Sequence, residues 1–148
     1  MKKEDKSIDK MRVWARITKA EAERTKDGAV TGIELNILFD DVIANKNLLE
    51  IHFTYAAWYR PDRGHVELKG VLIMEMESED TEKIASAWQK DKKMEEKLLT
   101  STMHNINYKC STEAIFVTKL VDLPSPLVPP RIGLPKKSPP APPPMGTA

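Results

Sequence analysis

The side chains in this sequence able to do acid–base, nucleophilic or metal chemistry are few and scattered. The three histidines, His52, His65 and His104, fall in separate stretches. None sits at HxxxH spacing or beside a CxxC pair, so they predict no metal site. Asp40-Asp41 and Glu75-x-Glu77 are the only close carboxylate pairs worth weighing as general acid and base. Glu75 and Glu77 share one face of a predicted strand, which a solvated face also requires, and nothing adjacent would tune a carboxyl group. Thr100-Ser101-Thr102 and Ser111-Thr112 lie in helical sequence without the GxSxG turn that exposes a serine nucleophile. The six glycines are isolated, so no phosphate-cradling loop is present. Cys110 falls on an apolar helical stripe and reads as an inert core thiol. These residues predict a non-catalytic protein with no metal site.

The elements that position these residues follow from length and pattern. The chain has 148 residues, and ten of its 11 prolines lie between Pro124 and Pro144. Regular structure is therefore expected within residues 1–123, enough for one core. The net charge is +1; the Pro-rich end contributes +3 through Arg131, Lys136 and Lys137, leaving −2 for the rest. Neither value suggests a nucleic-acid partner. A lone cysteine excludes an intrachain disulfide framework and fits a reducing compartment. No run of about 18 apolar residues would span a membrane. The opening MKKEDKSIDK lacks a signal peptide's apolar core, so a cytoplasmic location is expected. A charged fraction of 30% with a single glutamine leans toward a thermophilic source.

Residues 1–9 read as a flexible N-terminus. Alternation then predicts four antiparallel strands, near residues 11–22, 30–39, 48–60 and 65–77. Thr25-Lys26-Asp27-Gly28 and Pro61-Asp62-Arg63-Gly64 are turn signals, and residues 40–47 are expected as a loop. Short connections predict a meander. The period changes from 2 to 3.6 at about residue 78, predicting a short helix near 80–90. A long helix follows over Met94–Leu123, closed by Pro124. Its stripe is Leu99, Met103, Ile106, Cys110, Ala114, Val117 and Val121. Whether the two helices are continuous stays open. The expected class is α+β, a two-layer domain with the helices on one sheet face. Met103, Ile106, Cys110 and Val117 should pack on Val13, Leu35, Phe53 and Leu72.

Two apolar sets are left over. Trp14, Leu38, Trp58, Val71 and Ile73 fall on the sheet face away from the helices, a candidate patch for extended polypeptide. Phe116, Leu120 and Leu123 form a second helical row, expected to be covered by residues 127–134 or across a twofold homodimer. The segment KKSPPAPPPMGTA after Leu134 is too poor in large apolar groups to form a core, so 135–148 reads as a disordered Pro-rich tail.

This element order, four antiparallel strands, a short helix, and a long helix ending at prolines, resembles the SecB protein-export chaperones. LVDLPSPLVPPRIGL is similar to the region after that family's first long helix. The resemblance covers residues 10–134, the expected single domain. It implies a cofactor-free protein that binds unfolded or extended polypeptide in apolar grooves, a holdase-like chaperone assembled as a homodimer or tetramer. SecB chaperones are strongly acidic and end in a further helix; this chain departs on both points, which sets it apart from the export role. The alternative is a structural or adaptor protein whose apolar surfaces serve self-association, with no client.

Overall fold

The computed structural model describes residues 12–126. The expectations for residues 1–9 and for 127–148, including the apolar cover and the tail, lie outside the described residues. Strands β1 (Val13–Arg24), β2 (Gly32–Asn45), β3 (Leu48–Arg60) and β4 (Gly64–Glu75) precede helices α1 (Ser78–Asp91) and α2 (Glu96–Leu120). The strands form one antiparallel sheet in the order β1-β4-β3-β2. The class is the expected α+β, with both helices packed on the sheet.

The strand order departs from a plain meander. Only β2, β3 and β4 follow one another across the sheet; β1 lies on the far edge, beside β4. Tight connections at 46–47 and 61–63 force the two hairpins, whereas residues 25–31 are long enough to cross. The crossing spans three strand spacings, about 14 Å, within the roughly 23 Å reach of seven residues. Arg63, in the β3–β4 turn, holds this connection. Its carbonyl accepts the Thr25 N–H at 2.9 Å and its Nε donates to the Ala29 carbonyl at 3.1 Å. Gly28 (φ +130°) passes directly beneath the guanidinium, where a Cβ would lie 2.6 Å from Nη2.

Two β-bulges reset which side chains face inward. In β1 the register slips between Ile17 and Lys19. In β2 it slips between Phe39 and Asp41. Up to Phe39 the odd residues face the core; beyond the bulge Val42 and Ala44 do, and Ile43 faces outward. This corrects the expected loop at 40–47. One extra residue inverts the alternation, so a continuous strand reads as a broken one. The hairpin then closes on Lys46-Asn47, with Lys46 at φ 58°.

The helices are separate. Lys92 adopts a left-handed conformation (φ 55°) and its N–H closes on the Trp88 carbonyl at 2.8 Å, ending α1. The buried row of α2 is Leu98, Thr102, Ile106, Cys110, Ala114 and Thr118. This corrects the predicted stripe at both ends: Leu99 is exposed, and Met103 and Val117 are only partly buried. The row includes two threonines because their hydroxyls donate back along the helix. Thr102 bonds the Leu98 carbonyl at 2.7 Å and Thr118 the Ala114 carbonyl at 2.9 Å. Each enters the core with its polar atom satisfied.

Leu123 is also corrected. It is 5% exposed and forms a second core with Ala57, Tyr59 and Val66. After α2 the chain reverses at Asp122 (φ 57°), where Arg24 donates from Nε to the Val121 carbonyl at 2.9 Å and from Nη2 to the Asp122 carbonyl. Tyr59 and Tyr55 then donate to the carbonyls of Pro124 and Pro126, at 2.6 and 3.4 Å. The post-helix segment thus lies on the inner sheet face rather than extending the helix.

Candidate polypeptide-binding surface

Several of the groups weighed for chemistry have structural partners. Asp40 accepts the Thr54 hydroxyl at 2.6 Å. Glu75 pairs with Arg12 at 3.4 Å, while Glu77 leaves the strand and precedes α1. His52 lies 3.5 Å from Glu50; His65 lies 3.5 and 3.9 Å from Glu21 and Glu23. The hydrogen bond from His65 is the main influence holding the Glu21 carboxyl below its usual range. The Cys110 thiol is pushed up to about 12 by burial, far from nucleophilic. Among the described residues no cluster of three or more His, Cys, Asp or Glu could hold a metal ion. No helix among them is long and apolar enough to cross a membrane.

The outer sheet face does not gather the five predicted residues into one patch. Across the strands, Trp14, Ile73, Glu50 and Ile43 form one row; Glu23, His65, Trp58 and Glu34 form another. Ile73 and His65 are eight positions apart on β4, so the two tryptophans are separated by about 27 Å along the strand direction. Between them run Arg16, Lys69, Glu67 and Glu21. Val71 and Ile73 are only 8% exposed, closed over by neighbours on β1 and β3, so they offer no contact surface. Leu38 is exposed on β2, opposite Thr54. Trp58 opens onto a polar hollow of about 540 Å³ with Glu34, Asn36 and the ion-paired Arg60.

A different surface emerges at the free edge of β2. α1 lies against this strand, fixed at three points. Buried Thr81 donates to the Lys46 carbonyl at 2.6 Å. Trp88 packs on Phe39 with ring centroids 5.7 Å apart. Gln89 reaches Asp41 and Val42. Beside these contacts a cleft of about 770 Å³ remains, lined by Val42, Ile43 and Ala44 on the strand and by Glu82, Ala85, Ser86, Gln89 and Lys90 on the helix. β3 pairs with β2 on one side only; the other side of Val42 and Ala44 faces the cleft. By ladder alternation, these two residues direct their N–H and C=O groups to the same side. Sequence reasoning missed this site because the bulge disguised residues 40–45 as a loop, and because backbone groups carry no sequence signature. The one available signal was the pair of apolar residues Val42 and Ile43 inside that segment.

On α2, Phe116 and Leu120, one turn apart, are 68% and 82% exposed, and Tyr108 is exposed nearer the start of the helix. Leu123, predicted to join them, is buried elsewhere.

No protein-family model matches the chain, and no curated protein does. Its structure is similar to that of the Mycobacterium tuberculosis SecB-like chaperone Rv1957, solved in complex with a ChAD peptide from the Rv1956 HigA1 antitoxin. The TM-score is 0.55 at 10% sequence identity, over 82% of this chain and 90% of that one. At this identity the likeness is one of architecture: a four-stranded antiparallel sheet carrying two helices, which is the SecB-like fold.

Proposed function

We propose that this protein is a non-catalytic, holdase-like chaperone that takes extended polypeptide along the free edge of β2, in the cleft beside α1. The observation that carries this reading is the edge itself. Strand groups of Val42 and Ala44 face a cleft of about 770 Å³ that Ala85 also lines. A segment added there pairs through its main chain, which suits clients of many sequences. Its alternate side chains meet Ile43 and Leu38 on the outer side and α1 on the inner side. The structurally similar SecB-like chaperone was solved with a peptide, which supports a polypeptide partner in general. Trp14 and Trp58 stand off this track, and truncating both tests whether the wider sheet face contributes.

The test is fluorescence anisotropy with a reduced, alkylated and so permanently unfolded protein, followed by a labelled peptide of alternating valine and threonine. Binding of both, abolished when alternate peptide nitrogens are methylated, is the expected result. No affinity for either probe overturns the reading.

A second reading concerns α2. The exposed Phe116 and Leu120, one turn apart on the helix, favour association of two copies through that face, and its outcome is read by mass.

A further inference from the structure

A free strand edge is a liability as well as a site, because it pairs with any extended chain. At Val42 this edge is not bare. The Val42 N–H donates to Asp41 Oδ1 at 2.9 Å. The Val42 carbonyl accepts from Gln89 Nε2 at 3.2 Å. The same Nε2 donates to Asp41 Oδ1 at 3.0 Å. One primary amide therefore bridges a carboxylate and a carbonyl, using both of its protons. Together Asp41 and Gln89 give Val42 what a neighbouring strand would: an acceptor for its N–H and a donor for its C=O.

We propose that Gln89, held on Asp41, is a competitive guard of the β2 edge, which an incoming strand must displace from Val42. This rests on the strand-addition reading and adds its control. Both side chains reach solvent, so the guard opens by exchanging its bonds for water at small net cost. What refills Val42 decides what stays bound. An extended backbone supplies an N–H to the Val42 carbonyl and a C=O to its N–H, replacing both lost bonds. A merely apolar ligand supplies neither and leaves the guard in place. Gln89 thus makes the cleft selective for backbone over grease. Ala44, two residues on, presents the same pair of groups and gives a strand its first foothold.

The bridge needs a side chain that donates twice. A carboxylate at position 89 has no proton to give and is repelled by Asp41, and alanine removes the reach. Neither substitution touches the core, since Gln89 is exposed.

The experiment compares the full chain with Gln89→Ala and Gln89→Glu. The probe is the labelled valine–threonine peptide and its N-methylated form, and the amide exchange of Val42 is followed by NMR. The expected result is about fivefold tighter binding of the unmethylated peptide by both variants, the worth of one net hydrogen bond. Val42 should also become protected when the peptide is bound, and the methylated form should gain no affinity. Binding by the variants but not by the wild type would mean that no incoming strand displaces Gln89, which overturns the competitive guard and the holdase reading with it. If the wild type binds and both variants bind equally or more weakly, the guard is overturned while the strand-addition reading stands. If none of the three binds, both are overturned and Gln89 is a tether for α1.

Discussion

Tyr59 Oη lies 2.6 Å from the carbonyl oxygen of Pro124, and this bond sets the direction of the chain after its longest helix. Tyr59 is a fully buried β3 residue, so its hydroxyl has few other partners. With Leu123 seated beside it, the bond turns residues 121–126 back over the sheet. Replacing Tyr59 with Phe keeps the packing and removes the donor. The expected loss is about 1 kcal/mol, seen as a fall of about 4 °C in the melting temperature. An unchanged melting temperature would mean that Leu123 and Arg24 alone hold the turn.

Cys110 and the two tyrosines below it make stability fall in alkali. Burial pushes the Cys110 thiol from 9.0 up to about 12 and the Tyr59 hydroxyl from 10.0 up to about 12; Tyr55 is raised too, by burial first and then by Cys110. The folded state holds these protons more tightly than the unfolded state. Their stabilisation is therefore complete below about pH 9 and lost progressively as pH rises toward 12. The urea midpoint should drop across that window. In the native protein at pH 8, Cys110 should resist an aromatic disulfide reagent until denaturant is added; reaction within seconds of mixing would show that the stripe is open.

Phe53 and Gly70 face each other across β3 and β4, opposite the β1 bulge. Phe53 is buried, and its truncation to Ala should cost about 3–5 kcal/mol. Gly70 is a different case. A Cβ there would meet the Arg16 carbonyl oxygen at 2.3 Å and the Phe53 ring at 3.0 Å. Gly70→Ala should cost about 1–3 kcal/mol by overpacking, measured in the same urea titration. A neutral Gly70→Ala would show that the bulge gives way.

Ala44→Pro separates the edge from the fold. Proline removes a backbone donor and is tolerated on an edge strand where that donor faces outward. The melting temperature should move little, while affinity for the valine–threonine peptide should fall about fivefold, the net worth of one hydrogen bond. Loss of the fold instead would place the Ala44 N–H in the β3 ladder and close the site.

Phe116→Ser with Leu120→Ser tests the exposed side of α2. A dimer through this face should dissociate, halving the mass measured by light scattering while helicity is kept. The same mass in both proteins would assign association to another surface.

The sequence by itself determined the kinds of element and their approximate limits. Alternation from Leu48 to Tyr59 made β3 legible because every second side chain from Leu49 is apolar or aromatic and buried. The change of period near Ser78 marked the helices, and Pro124 marked the end of the long one. The inert character of Cys110 was legible too, since a thiol on an apolar stripe must be desolvated. These are local properties, fixed by side-chain size, polarity and spacing along the chain.

What only the tertiary structure decided is long-range. The place of β1 beside β4 depends on a crossing whose residues say nothing of their destination. Leu123 leaves the helical row for the second core because Arg24 and Tyr59, distant in sequence, claim the carbonyls around it. Thr102 and Thr118 are buried because helix geometry satisfies their hydroxyls, which a hydropathy pattern cannot express. The bulge at Asp40 inverts the facing of Val42 and Ala44, so the free edge appears only once β3 and α1 are in place. That edge is made of backbone groups common to every residue, and backbone groups acquire identity only through what the fold sets beside them.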